Sequence, residues 1–479
     1  MPHKTAKQPS FERNAVMAML GVNLMVLTAT LDMSIVNVSL PTLVKALNTD
    51  FPTVEWVILS YILVIACLLL LISRLGDMRG KKKIFSAGLV VFTAGSLMCG
   101  ASPSIGWLIA SRAVQGVGAA MSQALGIAII TEIAPPAMRG RAIGIVGGTV
   151  AVGLSLGPSL GGLLIDLAGW RFIFLINVPV CLAAYAIVRR YLPDLPPVLT
   201  DQRFDIPGAL VIFVTLGCYS LGMTLAQRMD FSNPLPASLL TVAALGFLAF
   251  ILVELRVKDP MLDLTLFKNT LFSLNLLMGV MVFLSLSGGF ILPFLLQTAQ
   301  GYSVRQVGLL MMVVPVCMGL VSPKAGALSD RFGSRGICLL GLFILSGGCF
   351  ATSSLTLDSP WWVFALCQAP IGLGAGIFQA PNNSAIMGAV PPERLGVASG
   401  LLNYSRIFGQ TSGLPLIGVI FASIVAASAN LPPHAEFISA PAEALAQGVT
   451  GAYRIQAFML LATTIPAIAS IIVARRKRA

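Results

Sequence analysis

Asp32 lies well inside the first long apolar run of the chain, within Leu31-Asp32-Met33-Ser34-Ile35-Val36-Asn37. Arg112 opens another apolar run that also carries Gln115 and Gln123. A charge at hydrocarbon depth is costly unless it is paired, hydrated or neutralised. Such residues are therefore candidates for chemistry. A carboxylate in that setting can take up and release a proton. A neighbouring guanidinium favours its charged form, and withdrawal of that guanidinium favours the acid, so an Asp32–Arg112 pair has the makings of a proton switch. Two blander readings stand beside this one. The pair can be a fixed ion pair, or Arg112 can snorkel to the outer interface. A second polar set, Asn403, Tyr404, Arg406 and Gln410, sits in a late Gly-containing run. It reads as the wall of a cavity, or as an Arg satisfied by nearby carbonyls.

Other chemistries find little support. His3 and His434 are the only histidines and neither falls in an apolar run, so a histidine relay is not expected. There is no G-x-x-x-x-G-K-[ST] loop for ATP and no His or Cys cluster for a metal. The eight cysteines form no C-x-x-C pair and read as small packing residues. No cofactor is expected.

These residues must be held by membrane-spanning elements. The chain is 56% hydrophobic and only 10% charged, far from the roughly 25% charged residues of a soluble domain. Its net charge of +12 is spread over short loops rather than a stripe, which argues for topology signals and against nucleic acid. Fourteen apolar stretches are long enough to span as helices, at about 15–40, 54–73, 84–102, 106–130, 142–164, 172–192, 206–226, 235–256, 270–298, 305–327, 336–355, 361–388, 397–427 and 452–474. The first reads as a retained helix rather than a cleaved signal. With both termini cytoplasmic, the outer side receives only Lys45, Arg171, Arg228, Arg305 and Arg454, while basic clusters such as Lys81-Lys82-Lys83 fall inside.

An internal repeat organises the chain. Ser73-Arg74-Leu75-Gly76-Asp77-Met78-Arg79-Gly80-Lys81-Lys82 matches Gly326-Ala327-Leu328-Ser329-Asp330-Arg331-Phe332-Gly333-Ser334-Arg335 in an equivalent loop. Tight turns account for the glycines, and helix-end charges for the Asp and the basic residues. Two copies imply two related halves. The expected division is a six-helix bundle over 1–192, two additional helices with linkers over 193–267, and a second six-helix bundle over 268–479. Gly153, Gly157 and Gly161 recur every fourth residue, with Pro158 among them. Such a face permits close helix packing.

In this order and spacing the motifs resemble the major facilitator superfamily, specifically its fourteen-spanner drug:proton antiporters of the EmrB/QacA type. The resemblance covers nearly the whole chain. Leu31 to Pro41 resembles that family's first-helix signature, Arg112 to Ala120 its fourth-helix signature, and Gly153 to Gly162 its antiporter signature. Trp170-Arg171-Phe172-Ile173-Phe174-Leu175-Ile176-Asn177-Val178-Pro179 also fits. The resemblance implies an all-α major facilitator fold in a bacterial-type cytoplasmic membrane. It also implies alternating access and proton-driven export of a lipophilic, cationic compound. Its carry-over assigns Asp32 and Arg112 to proton coupling. It assigns Asn37, Gln115, Gln123, Asn403, Tyr404 and Arg406 to the substrate cavity. Asp77, Arg79, Gly80, Lys81, Glu132, Asp330, Arg331 and Gly333 become gating-loop residues. The Gly153–Gly161 face becomes a seal between the halves. The expected partners are a small-molecule substrate, protons and the lipid bilayer; a periplasmic adaptor is not readable from sequence. One departure matters. Met78 stands where the loop signature has Arg, so the usual charge relay to Glu132 needs a substitute, with Arg79 or Lys81 as the candidates.

Overall fold

The computed structural model describes residues 13–134, 139–195, 206–229, 233–257, 264–390, 395–429 and 440–476. Among them it is helical, with no strand. Thirteen helical segments are long and apolar enough to cross a membrane, and Leu210–Ala226 is a shorter apolar helix between them. In the first part run α1 (Arg13–Ala46), the short α2 (Phe51–Val54), α3 (Trp56–Arg79), α4 (Lys81–Gly100), α5 (Ile105–Ile133), α6 (Arg139–Ala168), the short α7 (Phe172–Leu175) and α8 (Asn177–Tyr191). Two further helices follow, α9 (Ile206–Met229) and α10 (Pro234–Glu254). The last part holds α11 (Thr270–Leu286), α12 (Val304–Met311), α13 (Val313–Phe332), α14 (Ser334–Thr352), α15 (Trp361–Gly388), α16 (Leu395–Ala429) and α17 (Ala442–Arg476).

The repeat seen in the sequence is a repeat in space. Gly80 ends α3 with φ +92° and Gly333 ends α13 with φ +84°. Each lies in the left-handed region that a side chain resists. Each N–H closes the preceding helix, Gly80 onto the Gly76 carbonyl at 2.9 Å and Gly333 onto the Ser329 carbonyl at 2.8 Å. Both turns therefore reverse a helix pair in the same way.

Three apolar runs that read as single spans are broken. The run from 270 continues beyond α11 as a 3-10 turn, Ser287–Ile291, and a wide π turn, Phe294–Ala299. Gly288-Gly289 and Pro293 are the cause, since glycine costs helix propensity and proline removes a donor. The Gln456 side chain sits against Gly288 where a Cβ would stand. The other breaks separate α12 from α13 at Met312 and α7 from α8 at Ile176.

α9 packs on both α3 and α16, so it bridges the two halves, and Tyr219 donates to the Ser412 carbonyl at 2.9 Å. α10 packs on α9 and leaves most of its surface outward. Opposite the basic loops the halves are clamped together. The Phe51 ring lies 4.9 Å from Phe294, 5.2 Å from Phe421 and 5.8 Å from Phe290. Gln297 donates to the Val38 carbonyl at 2.9 Å. A methyl at Gly162 would lie 2.6 Å from the Val304 carbonyl oxygen, so α6 and α12 touch backbone to backbone.

Candidate functional site

The site grows from α1. Asp32 is fully buried, and its carboxylate meets three donors from two other helices. Asn177 Nδ2 of α8 donates to Oδ1 at 2.7 Å, and Gln115 Nε2 of α5 donates to the same oxygen at 2.9 Å. Arg112 Nη1 of α5 donates to Oδ2 and forms the ion pair. A second ring of contacts fixes these donors. Arg112 Nε donates to the Val57 carbonyl at 2.9 Å and Nη1 to Gln115 Oε1 at 2.6 Å. Gln115 Nε2 also donates to Ser96 Oγ of α4 at 2.9 Å. The guanidinium carbon stands 4.1 Å from the Tyr61 ring centroid and 5.8 Å from that of Phe174. Arg112, Gln115, Ser96 and Tyr61 are all fully buried.

Chemically this cage fits an ionised carboxylate. Every group facing Asp32 in these contacts is a donor, and an ionised carboxylate only accepts. A protonated Asp32 would turn an O–H toward a guanidinium. Any protonation of Asp32 would require Arg112 to leave, and the Val57, Gln115 and Tyr61 contacts would have to open with it. Of the readings open at the sequence level, snorkelling of Arg112 is excluded.

The other candidate residues separate by place. Gln115 was expected to line the cavity but belongs to the Asp32 cage. Asn37, Gln123, Asn403 and Arg406 are half-buried. Tyr404 stacks on Phe408 at 6.3 Å. Phe408 borders the cluster of Leu63, Ala66 and Cys67 of α3, Ile212 and Leu216 of α9, and Phe250 of α10. Tyr404 therefore faces the inserted pair rather than sharing a face with Arg406. Among the described residues Arg406 finds no carbonyl partner: its Nε is buried without a hydrogen bond, and its guanidinium carbon stands 5.5 Å from the Phe283 ring centroid.

The glycine face also needs a correction. A Cβ at Gly153 would lie 2.9 Å from Thr30 Cβ, at Gly157 2.5 Å from Ser34 Cβ, and at Gly161 3.0 Å from Ile35 Cγ2. All three contacts are with α1 in the same half. The close approach of α6 to the other half runs instead through Gly162, the Pro158 carbonyl and Gly308 of α12. One residue along a helix turns the side chain by about 100°, and sequence alone did not say which of two adjacent faces meets the other half.

At the basic loop, Lys81 Nζ pairs with Glu132 at 3.0 Å, and Lys82 pairs with Asp194 at 3.0 Å. Arg79 is exposed and makes no ion pair among the described residues. Of the two candidates, it is Lys81 that pairs with Glu132 among the described residues. Arg331 is exposed. The side chains of Asp77 and Asp330 lie outside the described residues.

Sequence reasoning passed over Asn177, Ser96, Tyr61 and Phe174 as partners of the pair. Asn177 alone carried a signal, an amide within an apolar run two residues before Pro179.

The fold and this site define a two-half membrane transporter. The chain belongs to the Major Facilitator Superfamily, whose family model matches residues 22–295 and 276–474. It is 33% identical over 412 residues to the riboflavin transporter RibZ of Clostridioides difficile, covering 85% of this chain and 89% of that protein. It is 32% identical over 433 residues to the multidrug resistance protein Stp of Mycobacterium tuberculosis, covering 88% of this chain and 79% of that protein. The crystal structure of a bacterial homologue of the human lysosomal transporter Spinster, inward-facing and unoccupied, shares the fold at a TM-score of 0.70. Its sequence identity is 16%, with 96% of this chain and 98% of that one covered.

Proposed function

We propose that the protein is a proton-coupled exporter of lipophilic small molecules, working by alternating access in a cytoplasmic membrane with both termini inside. The observation that carries this reading is the Asp32 cage, a carboxylate deep within a spanning helix, surrounded by donors and pinned by a removable Arg112. Two six-helix bundles rock about a central cavity. With the outer end open, Arg112 withdraws and Asp32 takes a proton from outside. With the outer end clamped, Asp32 releases the proton inward and Arg112 returns to it. The clamped outer end and the intact ion pair described above match the second state.

The cargo of a relative belongs to that relative, but Stp supports a drug-like cargo and RibZ supports a metabolite as a second reading. A cationic cargo, expected from the sequence, would meet Asp32 only after Arg112 withdraws, because the carboxylate is sealed in this state. The test is efflux of ethidium, and separately of riboflavin, from proteoliposomes with and without an imposed pH gradient. Asp32→Asn is expected to abolish gradient-driven accumulation while exchange at equal pH persists. Gradient-driven accumulation by that variant would remove Asp32 as the proton site. A protein that merely senses its ligand would show no flux in any arm.

A further inference from the structure

Arg406 is a half-buried cation with no counter-charge among the described residues. It sits in the inner half of α16, three residues before Gly409, where that helix closes on α11: a Cβ at Gly409 would lie 2.6 Å from the Val280 carbonyl oxygen and 2.9 Å from Phe283 Cβ. Its Nε is buried and unpartnered, and no ion pair to it is found among the described residues. The side chain keeps intermediate exposure although its Nε is enclosed, so part of the guanidinium is accessible. Asn403 and Gln410, at i−3 and i+4, share its helix face and its intermediate exposure. Tyr404 and Phe408 occupy the neighbouring face against α3 and the inserted helices.

The ring of Phe283 offsets part of the charge but accepts no directed hydrogen bond. An unpaired guanidinium presents five donors in a planar fork, a geometry suited to an oxyanion. Asn403 and Gln410 add amide donors on either side. A cationic group would be repelled from this position. We propose that Arg406, flanked by Asn403 and Gln410, binds an acidic group of the cargo, a carboxylate or an equivalent organic oxyanion on an otherwise apolar body. This rests on the exporter reading and narrows its substrate class. It also changes the driving force. Exchange of a monocation for one inward proton moves no net charge, whereas exchange of a monoanion for one inward proton moves two, so the membrane potential drives it as well.

The test uses the full-length purified protein and three probes on one aromatic body: 1-pyrenebutyrate, its neutral carboxamide, and a pyrenylbutyl trimethylammonium. Binding is read by fluorescence anisotropy. Wild type is expected to prefer the acid over both others by about tenfold or more, a difference of the size one well-placed charged hydrogen bond supplies. Arg406→Gln should lose that preference while binding the amide as before, and Gln410→Leu should weaken it in part. Arg406→Gln removes an unpaired charge, so its unfolding midpoint should not fall. If it fails to fold, an unchanged acid preference in Gln410→Leu overturns the proposal. So does equal binding of the three probes by wild type, absence of acid binding, or an acid preference that survives in Arg406→Gln. Asp32→Asn separates the two readings. It should keep the acid preference and lose gradient-driven flux. Asp32-dependent flux without any acid preference overturns the Arg406 proposal alone. Acid preference with flux that ignores Asp32 overturns the proton site alone.

Discussion

Arg112 on α5 and Arg406 on α16 are arginines within spanning helices of the two related halves, at positions the repeat does not match, and the protein treats them in opposite ways. Arg112 has a carboxylate, a carbonyl, an amide and two aromatic rings around it. Arg406 has, among the described residues, one ring and a buried Nε with no hydrogen-bond partner. In hydrocarbon surroundings a guanidinium satisfied on every side is structural or switch-like, while an unsatisfied one is held in a costly state by the rest of the fold. The N-terminal half thus keeps its charge for internal use. On the proposal above, the C-terminal half presents its charge to the cargo.

The sharpest way to break that contrast is to remove each arginine. Arg112→Gln leaves Asp32 buried without its counter-charge and is expected to cost about 3–5 kcal/mol, read as a lowered unfolding midpoint in detergent. Adding Asp32→Asn should restore much of the loss, because two neutral amides can share the cage. The two changes should therefore be strongly non-additive. Additive losses would mean that the pair is not the unit the geometry indicates. Coupled transport should be absent in both single variants and in the double.

Asn177→Ala comes next in size. It withdraws one of the donors to Asp32 Oδ1, and a hydrogen bond to a buried charge is worth about 1.5–3 kcal/mol. The cage should survive on Gln115 and Arg112, with a weakened hold on the ionised carboxylate. Coupled transport should fall with it. Unchanged stability and unchanged transport would confine the cage to α1 and α5. Arg406→Gln should differ in sign from Arg112→Gln, with stability unchanged or raised by about 1 kcal/mol or less. A loss as large as that of Arg112→Gln would show that Arg406 is satisfied after all, and the contrast would fall.

Much of this contrast was legible in the sequence, because a charge in an apolar run announces itself whatever its partners. Asp32, Arg112 and Arg406 stand out on that ground alone. The repeat was legible too, since Gly80 and Gly333 occupy turns that demand a positive φ. What was not legible depends on rotation about a helix axis. Gln115 looked like a cavity residue and proves to be a cage residue because it shares a face with Arg112, one turn away. Gly161 and Gly162 are adjacent, yet one meets α1 and the other meets α12. Asn177 is distant in sequence from Asp32, and only the folding of α8 onto α1 brings them together.

The smallest expected effect on stability lies at the basic loop, where the two halves can be compared once more. Lys81–Glu132 bridges the α3–α4 turn to the end of α5, with Glu132 about one-third exposed. A pair so placed contributes roughly 0–1 kcal/mol to stability. Its effect should instead be kinetic. α3 and α5 carry the Tyr61 and Arg112 side of the cage, and the loop ties their inner ends together. Lys81→Ala and Glu132→Gln should therefore slow the exchange of inward and outward states, measured as transport rate, while leaving cargo affinity near wild type. Arg79→Ala should be silent, since Arg79 is exposed and makes no ion pair among the described residues. Slowed transport in Arg79→Ala with normal transport in Lys81→Ala would return the relay to Arg79. Normal rates in all three variants would leave this loop as a topology signal. The equivalent change in the other half, Arg331→Ala, completes the comparison. Arg331 is exposed at the end of α13, so its loss should slow transport less than the loss of Lys81.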